Sequence, residues 1–585
     1  MMDKGGMPFG STVQKNYVDF VVWAPNAKKV WVFLEENDNE FADYEMISIE
    51  PGIWETKIGS AHPGMRYKYK IQDPWDNIIY RNDPYARVLT SSNDGCGLII
   101  KDTFRWPEKK FRAVPRDKQI IYELHVGTFA QPFPGHPGTF NEIIKKMGYL
   151  KNLGINMIEV MPINSTPYYN DRGYSPSHLF SIEERFGGRI EFQRFVRSAH
   201  KHGIGVIVDV VYNHAAIDHN DLWQFDGWNE GYHGGIYFYN DGRADTPWLG
   251  PRYDYGRPEV RQFILDNVRM WIEEFKVDGL RLDSTHHIRS FDGTENPDAA
   301  NPEGWKLLQD ITQLVHKLNS RAVVIAEDTS LNDYLTKPIN DGGAGFDAQW
   351  GLGFPSKIRE SFGVGKWQDV DNMIKEMQSY YNGDFRQKII YSESHDTASR
   401  SDGGRRLDVD FDSSNPTSLW AQQKLLLAAG ITLTAPGPPM LLAGQEFMQP
   451  GEFSSLEPLD WDVQRAFWPN ITLAFRHLLN LRKNTFGNTA GLTGGFFEVF
   501  HTDKENNVVA YTRGNCIIIA NFGENRFDEY ELKLPFSGIL SVQFNSSWSG
   551  YHPEFPDMVF DYAETNDENA LCIPLAEHSI IILSQ

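Results

Sequence analysis

Between residues 17 and 105, apolar and polar side chains alternate in short runs, YVDFVVWAP, KKVWVFL and MRYKYKIQ, separated by Gly, Pro, Asn and Asp. A period of two with turn residues between runs predicts strands that bury one face, so residues 1–110 are expected to form a small β-sandwich. The charged stretch EKKFRAVPRDK, with Pro115, reads as a linker or domain edge. From Gln119 the rhythm changes. Short apolar runs, QIIYELHV, NMIEVMP, GVIVDVVYNH, GLRLD, AVVIAED, KIIYSESHD and PPMLLAGQE, alternate with longer segments such as FNEIIKKMGYLKNL and PEVRQFILDNVRMWIEEF, whose apolar positions recur at three and four residues. Strand–helix repetition predicts an α/β fold, a (β/α)8 TIM barrel over residues 111–485, and the span leaves room beyond the roughly 250 residues that eight units need. Asp209 and Asp283 stand farther apart than one unit requires, so the aromatic, Gly-rich stretch at about 213–257 is expected to be an insertion above the barrel top. After it, FFEVFH, NVVAYTR, CIIIANF, EYELKL and HSIIIL return to a period of two and predict a C-terminal all-β domain over residues 486–585.

Composition adds the capacity for large cores. With 41% hydrophobic, 13% aromatic and 23% charged residues in 585, the chain is not of the disordered class. Acidic side chains outnumber basic ones by 78 to 56, for a net charge of -22. That balance disfavours nucleic acid and anionic membranes and leaves a neutral ligand as the better partner, although solubility alone accounts for the same excess. Cys96, Cys516 and Cys572 follow no metal-ligand spacing and are expected to be buried thiols. The opening MMDKGGMPFG carries no long apolar stretch, and no run of about 18 apolar residues occurs, so a cytoplasmic protein is expected; a monomer is expected as well.

Barrel enzymes present their reactive groups where the strands end. At those places this chain carries Asp209 and His214 in GVIVDVVYNH, Arg281 and Asp283 in GLRLD, Glu327 in VVIAED, and His395 with Asp396 in IIYSESHD. One strand-end carboxylate is commonly just the N-cap of the next helix, which would account for Asp209 or Asp328 taken alone. Several converging on one mouth are costly unless they share a task or a partner. Arg281, two positions before Asp283, alternates onto the same face and suits holding a carboxylate ionised. Cleaving a glycosidic bond needs two carboxyl groups, one to attack the anomeric carbon and one to protonate the leaving oxygen and then activate the acceptor. Asp283 and Glu327, near one βα unit apart and so on neighbouring strands, suit those roles, and Asp396 reaches in from a strand farther round. His214 and His395 adjoin these acids and suit hydrogen bonds to sugar hydroxyls, although an isolated His is usually structural. A zinc site is the rival for the same cluster, but no HExxH or comparable pair supports it, and no metal or cofactor is expected. Trp223, Trp228, Tyr237, Tyr239, Trp248 and Tyr253 crowd the insertion; most such rings fill cores, and only their clustering points to sugar.

In their order at the strand ends, DVVYNH, GLRLDSTH, IAEDTS and SESHD resemble the four signature regions of the α-amylase family of glycoside hydrolases and transferases, with a likeness that covers nearly the whole chain. The resemblance implies Asp283 as nucleophile, Glu327 as general acid/base and Asp396 as the residue that steadies the distorted sugar. It also implies that Asp209, His214, Arg281 and His395 line the cleavage subsite and that Tyr174, in RGYSPSHLF, stacks on that sugar. The N-terminal module resembles a glycogen-binding-like sandwich. IAEDTS, the ESHD that contains Glu393, GQEFMQ, PLDWD and FNSSWSGYH look like branching enzymes, which implies an α-glucan partner (glycogen, amylose or maltooligosaccharide) and transfer of the cleaved chain to a 6-hydroxyl. YELHVGTF, GLRLDSTHHI, LND and FDAQW instead resemble maltooligosyltrehalose trehalohydrolase, where water is the acceptor, and other amylolytic or debranching activities stay open. His286 and His287 depart from the branching pattern and bear on the choice of acceptor. A glucan-binding protein with a dead barrel would have lost a catalytic acid, and all three are present. Some relatives hold calcium, but Asn213 with Asp254 is too little for an oxygen cage.

Overall fold

The computed structural model describes residues 9–37, 40–91, 95–168, 170–363, 367–467 and 470–585. The first eight residues, most of the opening stretch in which no leader was read, lie outside the described residues. Among the described residues no helix is long and apolar enough to cross a membrane.

Two antiparallel sheets form the N-terminal sandwich. One orders Gly10–Val13, Val18–Trp23, Ile53–Ile58 and Ile47–Glu50; the other orders Glu40–Glu45, Lys29–Asn37, Arg66–Gln72 and Ile78–Arg81. The alternation decides what is buried: Val30, Val32 and Leu34 point inward, as do Tyr67, Tyr69 and Ile71 on the neighbouring strand.

Eight parallel strands then close a barrel: β1 (Ile121–Leu124), β2 (Met157–Val160), β3 (Gly205–Val210), β4 (Gly279–Leu282), β5 (Val323–Ala326), β6 (Ala348–Trp350), β7 (Lys388–Tyr391) and β8 (Pro439–Leu442). Buried on both faces, seven of them read in the sequence as predominantly apolar runs, five with a single charged residue inside. The eighth, β6, lies in FDAQW and is three residues long, too short to show a period, so the pattern missed it. Helix Pro302–Leu318 follows β4 and approaches the segment after Asp283 closely: a Cβ on Gly304 would lie 1.8 Å from the carbonyl oxygen of Ile288.

The insertion after β3 is mostly packing, as its individual rings suggested. Tyr237, Tyr239 and Tyr253 are buried, whereas Trp248 is 44% exposed and faces the barrel mouth. The insertion also anchors the N-terminal module. Asp226 accepts from the Asn26 backbone N–H at 2.8 Å and its amide at 3.0 Å, Asp221 accepts from Asn82 N–H at 2.8 Å, and Trp23 meets Tyr237 edge-on. Beside it Tyr85 donates to Asp266 at 3.1 Å and packs on Phe180 and Phe263.

The C-terminal domain orders Glu498–Asp503, Val508–Arg513, Cys516–Asn521, Ser579–Ser584, Ile539–Asn545 and Tyr562–Glu564 in one sheet, with the pair Phe527–Lys533 and Ala570–Leu575 enclosing a second core. Helix Leu419–Thr434 is buried almost all round beneath it. Two buried arginines brace this seam through main-chain carbonyls: Arg513 reaches across it to Thr434 and also donates to Gly494 and Phe496, while Arg482 donates to Leu433, Ala435 and Gly437 on the barrel side. The expectation of three buried thiols is corrected. Cys516 is buried and Cys96 partly so, but Cys572 is exposed, because it takes an outward position between the buried Leu571 and Ile573.

Candidate active site

Asp209 and Arg281 are register partners across β3 and β4, and they lie at the barrel mouth just below Asp283 and Glu327. Arg281 Nη1 donates to Asp209 Oδ1 and Oδ2 at 2.9 and 2.8 Å and to Asp283 Oδ1 at 2.8 Å, while Nη2 lies 3.7 Å from Glu327 Oε2. One guanidinium, 1% exposed and 4.4 Å from the Trp350 ring centroid, thus addresses three carboxylates. Asp283 Oδ2 also accepts from the Asn213 amide at 2.8 Å, so donors hold both of its oxygens. Glu327 accepts from the Ser284 N–H at 2.6 Å, and Ser284 turns the chain there with φ 45°, a left-handed value uncommon without glycine.

The environment divides the acids. Burial, partly offset by Arg281 and reinforced by the charges of Asp283 and Asp396, pushes Glu327 up to about 8, so at neutral pH it carries a proton. Asp209 is raised to about 6 by burial against the pull of Arg281. Desolvation raises Asp396 even though its side chain is 45% exposed, yet the His395 charge, with Arg281 and Arg172, holds it well below the usual carboxylate range. His395 Nδ1 is 2.5 Å from Glu123 Oε1 and Nε2 is 3.1 Å from Asp396 Oδ1; against the desolvation of the ring, those two carboxylates raise it to about 10. His214 is its opposite. Burial lowers it to about 4, and the neutral ring stacks on Trp248 with Nδ1 2.9 Å from Asn213 Oδ1.

The residues singled out in the sequence meet at one place. Tyr174, His214, Asp283, Glu327, His395 and Asp396 line a cavity of about 620 Å³, and Asp209 and Arg281 support it from beneath. Tyr174 stacks on His395 at 5.2 Å and donates to Asp209 at 2.7 Å, presenting the ring to the cavity in a fixed orientation. His286 lines the cavity too, whereas His287 packs behind it against Trp248. Asn213 and Asp254, weighed as calcium ligands, are engaged otherwise: the Asn213 amide bonds Asp283, and Asp254 pairs with Arg257 at 2.9 Å. Among the described residues no three His, Cys, Asp or Glu side chains converge as metal ligands.

Three residues of the site escaped sequence reasoning. Arg172, with φ 60°, crosses the mouth to Asp396 at 3.3 Å and Asp402 at 2.7 Å. Glu123 lies under His395, and Trp350 under Arg281. Glu123 had a signal, as the one charge inside the apolar run QIIYELHV. Arg172 had none, since its backbone conformation and both of its partners come from the fold.

A closed parallel barrel with paired carboxylates at its mouth, between two β domains, has the parts that glycosidic-bond chemistry requires. The alpha amylase catalytic-domain profile matches residues 93–226 and 220–457, carbohydrate-binding module 48 (isoamylase N-terminal domain) matches 8–86, and the alpha amylase C-terminal all-beta domain matches 500–584. The chain belongs to the α-amylase family. It is 31% identical over 476 residues to the malto-oligosyltrehalose trehalohydrolase of Saccharolobus solfataricus, covering 76% of each chain. It is also 28% identical over 569 residues to the 1,4-alpha-glucan branching enzyme GlgB of Oceanobacillus iheyensis, covering 90% of this chain and 86% of that one. A pullulanase of Anoxybacillus sp. complexed with maltotetraose shares the fold at a TM-score of 0.77 and 20% identity, over 99% of this chain and 87% of the other.

Proposed function

We propose that this enzyme is a 1,4-α-glucan branching enzyme acting with retention of configuration. The observation that carries the chemistry is the Arg281-linked pair of Asp283 and Glu327, one with a donor on each of its oxygens and the other protonated by its surroundings. Asp283 attacks the anomeric carbon, the bond to the leaving O4 breaks, and the Glu327 proton passes to that oxygen, leaving a glycosyl ester on Asp283. A glucan 6-hydroxyl then attacks the same carbon, gives its proton to Glu327 and releases Asp283. Asp396, ionised between His395 and Arg172, steadies the distorted sugar as positive charge develops on it. His214, His395 and Tyr174 bind around the same ring.

The choice of a sugar acceptor is supported by likeness to branching enzymes over about nine-tenths of the chain, all three domains included. A second reading, release of trehalose by hydrolysis, is favoured by the higher identity to the trehalohydrolase and by His286 at the cavity wall. Incubation with amylose, with α-1,6 linkages counted by proton NMR, tests the choice beside a parallel reaction on maltotriosyltrehalose. New branches are expected; free trehalose without them would establish the second reading instead.

A further inference from the structure

His395 is placed between two carboxylates. Glu123, at position three of β1, offers Oε1 to Nδ1 at 2.5 Å and Oε2 to the His395 backbone N–H at 3.0 Å, while Asp396 Oδ1 faces Nε2 at 3.1 Å. A neutral imidazole has one donor and one lone pair, so in either tautomer it would turn a lone pair towards a carboxylate; only the imidazolium donates to both. The ring is not free to turn away. Tyr174 stacks on it at 5.2 Å, and Trp350 and Phe453 close it edge-on at 5.9 and 6.2 Å. Both His395 and Glu123 are essentially without solvent contact, at 2% and 1% side-chain exposure, so water screens the pair little.

From this geometry we infer that Glu123 is a positioning residue that keeps His395 a fixed cation, so that Nε2–H and the ionised Asp396 stay in place throughout the catalytic cycle. The inference rests on the glycosidase reading above. It concerns a step at which charge moves: when Asp283 becomes an ester and Glu327 loses its proton, negative charge shifts from one to the other, and a histidine held only by the reacting acids would be free to follow. Glu123 lies below the cavity and is no part of the reacting set, so its hold on Nδ1 is indifferent to that shift.

The other charged and titratable groups around the ring agree. Glu159, register partner of Glu123 on β2, is buried with no hydrogen bond to either oxygen, and burial with the charges of Glu123 and Asp209 raises it well above the usual range. It is therefore a neutral neighbour that leaves the Glu123 charge to His395. His125, in the loop after β1, is driven down to about 3 by burial and by the His395 charge, so it does not compete. Arg281 and Arg172 act on Asp396 from its other sides.

The test uses α-maltotriosyl fluoride, whose leaving group needs no proton, so that the Glu327 titration drops out of kcat/KM. Wild-type enzyme is expected to keep its rate up to about pH 10, where His395 titrates. In Glu123→Gln the alkaline limb should fall into the neutral range, with at least a tenfold loss between pH 6 and pH 9, and Glu123→Asp should restore it. A uniform loss at all pH values, or an unmoved limb, overturns the proposal and leaves Glu123 a structural residue. Nitrogen-15 NMR of histidine-labelled wild-type enzyme, with His395 assigned by its absence in His395→Asn, does not depend on the Gln variant folding: a neutral ring at pH 8 also overturns it. Failure of the wild type to release fluoride would strike the glycosidase reading, while the NMR arm still decides the state of His395.

Discussion

At the scale of single residues, the site works by giving like groups unlike surroundings. Asp283 and Glu327 touch the same guanidinium, and at Glu327 burial outweighs that contact. Replacing Asp283 by Asn keeps the shape but exchanges one carboxylate oxygen for an NH2 that cannot accept from Arg281 or Asn213, so one of those hydrogen bonds goes together with the carboxylate nucleophile. Turnover of α-glucan should fall by about four orders of magnitude or more, in the range for loss of a covalent nucleophile, with glucan binding by affinity electrophoresis retained; unchanged turnover would remove the assignment. For Glu327 the sign of the pH dependence is fixed. The acid form is the proton donor, so kcat/KM on amylose should decline as pH rises through about 8. Stability runs the same way: between the usual glutamate value near 4.5 and about 8 the folded chain keeps a proton that the unfolded chain has lost, so stability falls as pH rises across that window. Glu327→Gln should therefore melt at a higher temperature than wild type at pH 7.5, and the gap should close towards pH 4.5.

At the scale of elements, the sequence carried most of the barrel and the outline of its site, because buried parallel strands are apolar runs with their functional residues at the end. Asp209 and Arg281 near the ends of such runs, and Asp283, Glu327, His395 and Asp396 just after them, were found by position, and the structure brings them together. What stayed hidden depends on partners distant in the chain: the three-residue β6 that supplies Trp350, the left-handed Arg172 that meets two acids more than 220 residues away, and the pairing of Glu123 with His395. Tyr174 was reached through the motif it shares with the family, since nothing in its surroundings marks it as facing a cavity. Element packing carries its own prediction. A methyl at Gly304 would press on the Ile288 carbonyl, which leaves the helix Pro302–Leu318 no room to stay where it is. Gly304→Ala should cost about 1–3 kcal/mol in urea unfolding. It should also reduce activity, because the short helix Thr285–Arg289 that must shift starts two residues after Asp283.

At the scale of the whole molecule, the three domains are joined by buried contacts rather than by tethers. Residues of the sandwich, the barrel and the C-terminal sheet share one continuous apolar core, and Asp226 fixes Asn26 through two hydrogen bonds. Calorimetry is expected to show the N-terminal module unfolding together with the barrel. Asp226→Ala, which leaves the Asn26 donors without their acceptor, should lower the stability of that unit by about 1–3 kcal/mol; a separate early transition of the module in the wild type would contradict the shared core. The opposite seam behaves differently. Arg482 and Arg513 grip peptide carbonyls and no acid; a carbonyl gains no proton in mild acid, and the two guanidiniums are buried away from any dissolved anion that would compete for them. Brine or vinegar-strength acidity that loosens ordinary surface ion pairs therefore leaves this joint shut, and its strength is written into the path of the main chain.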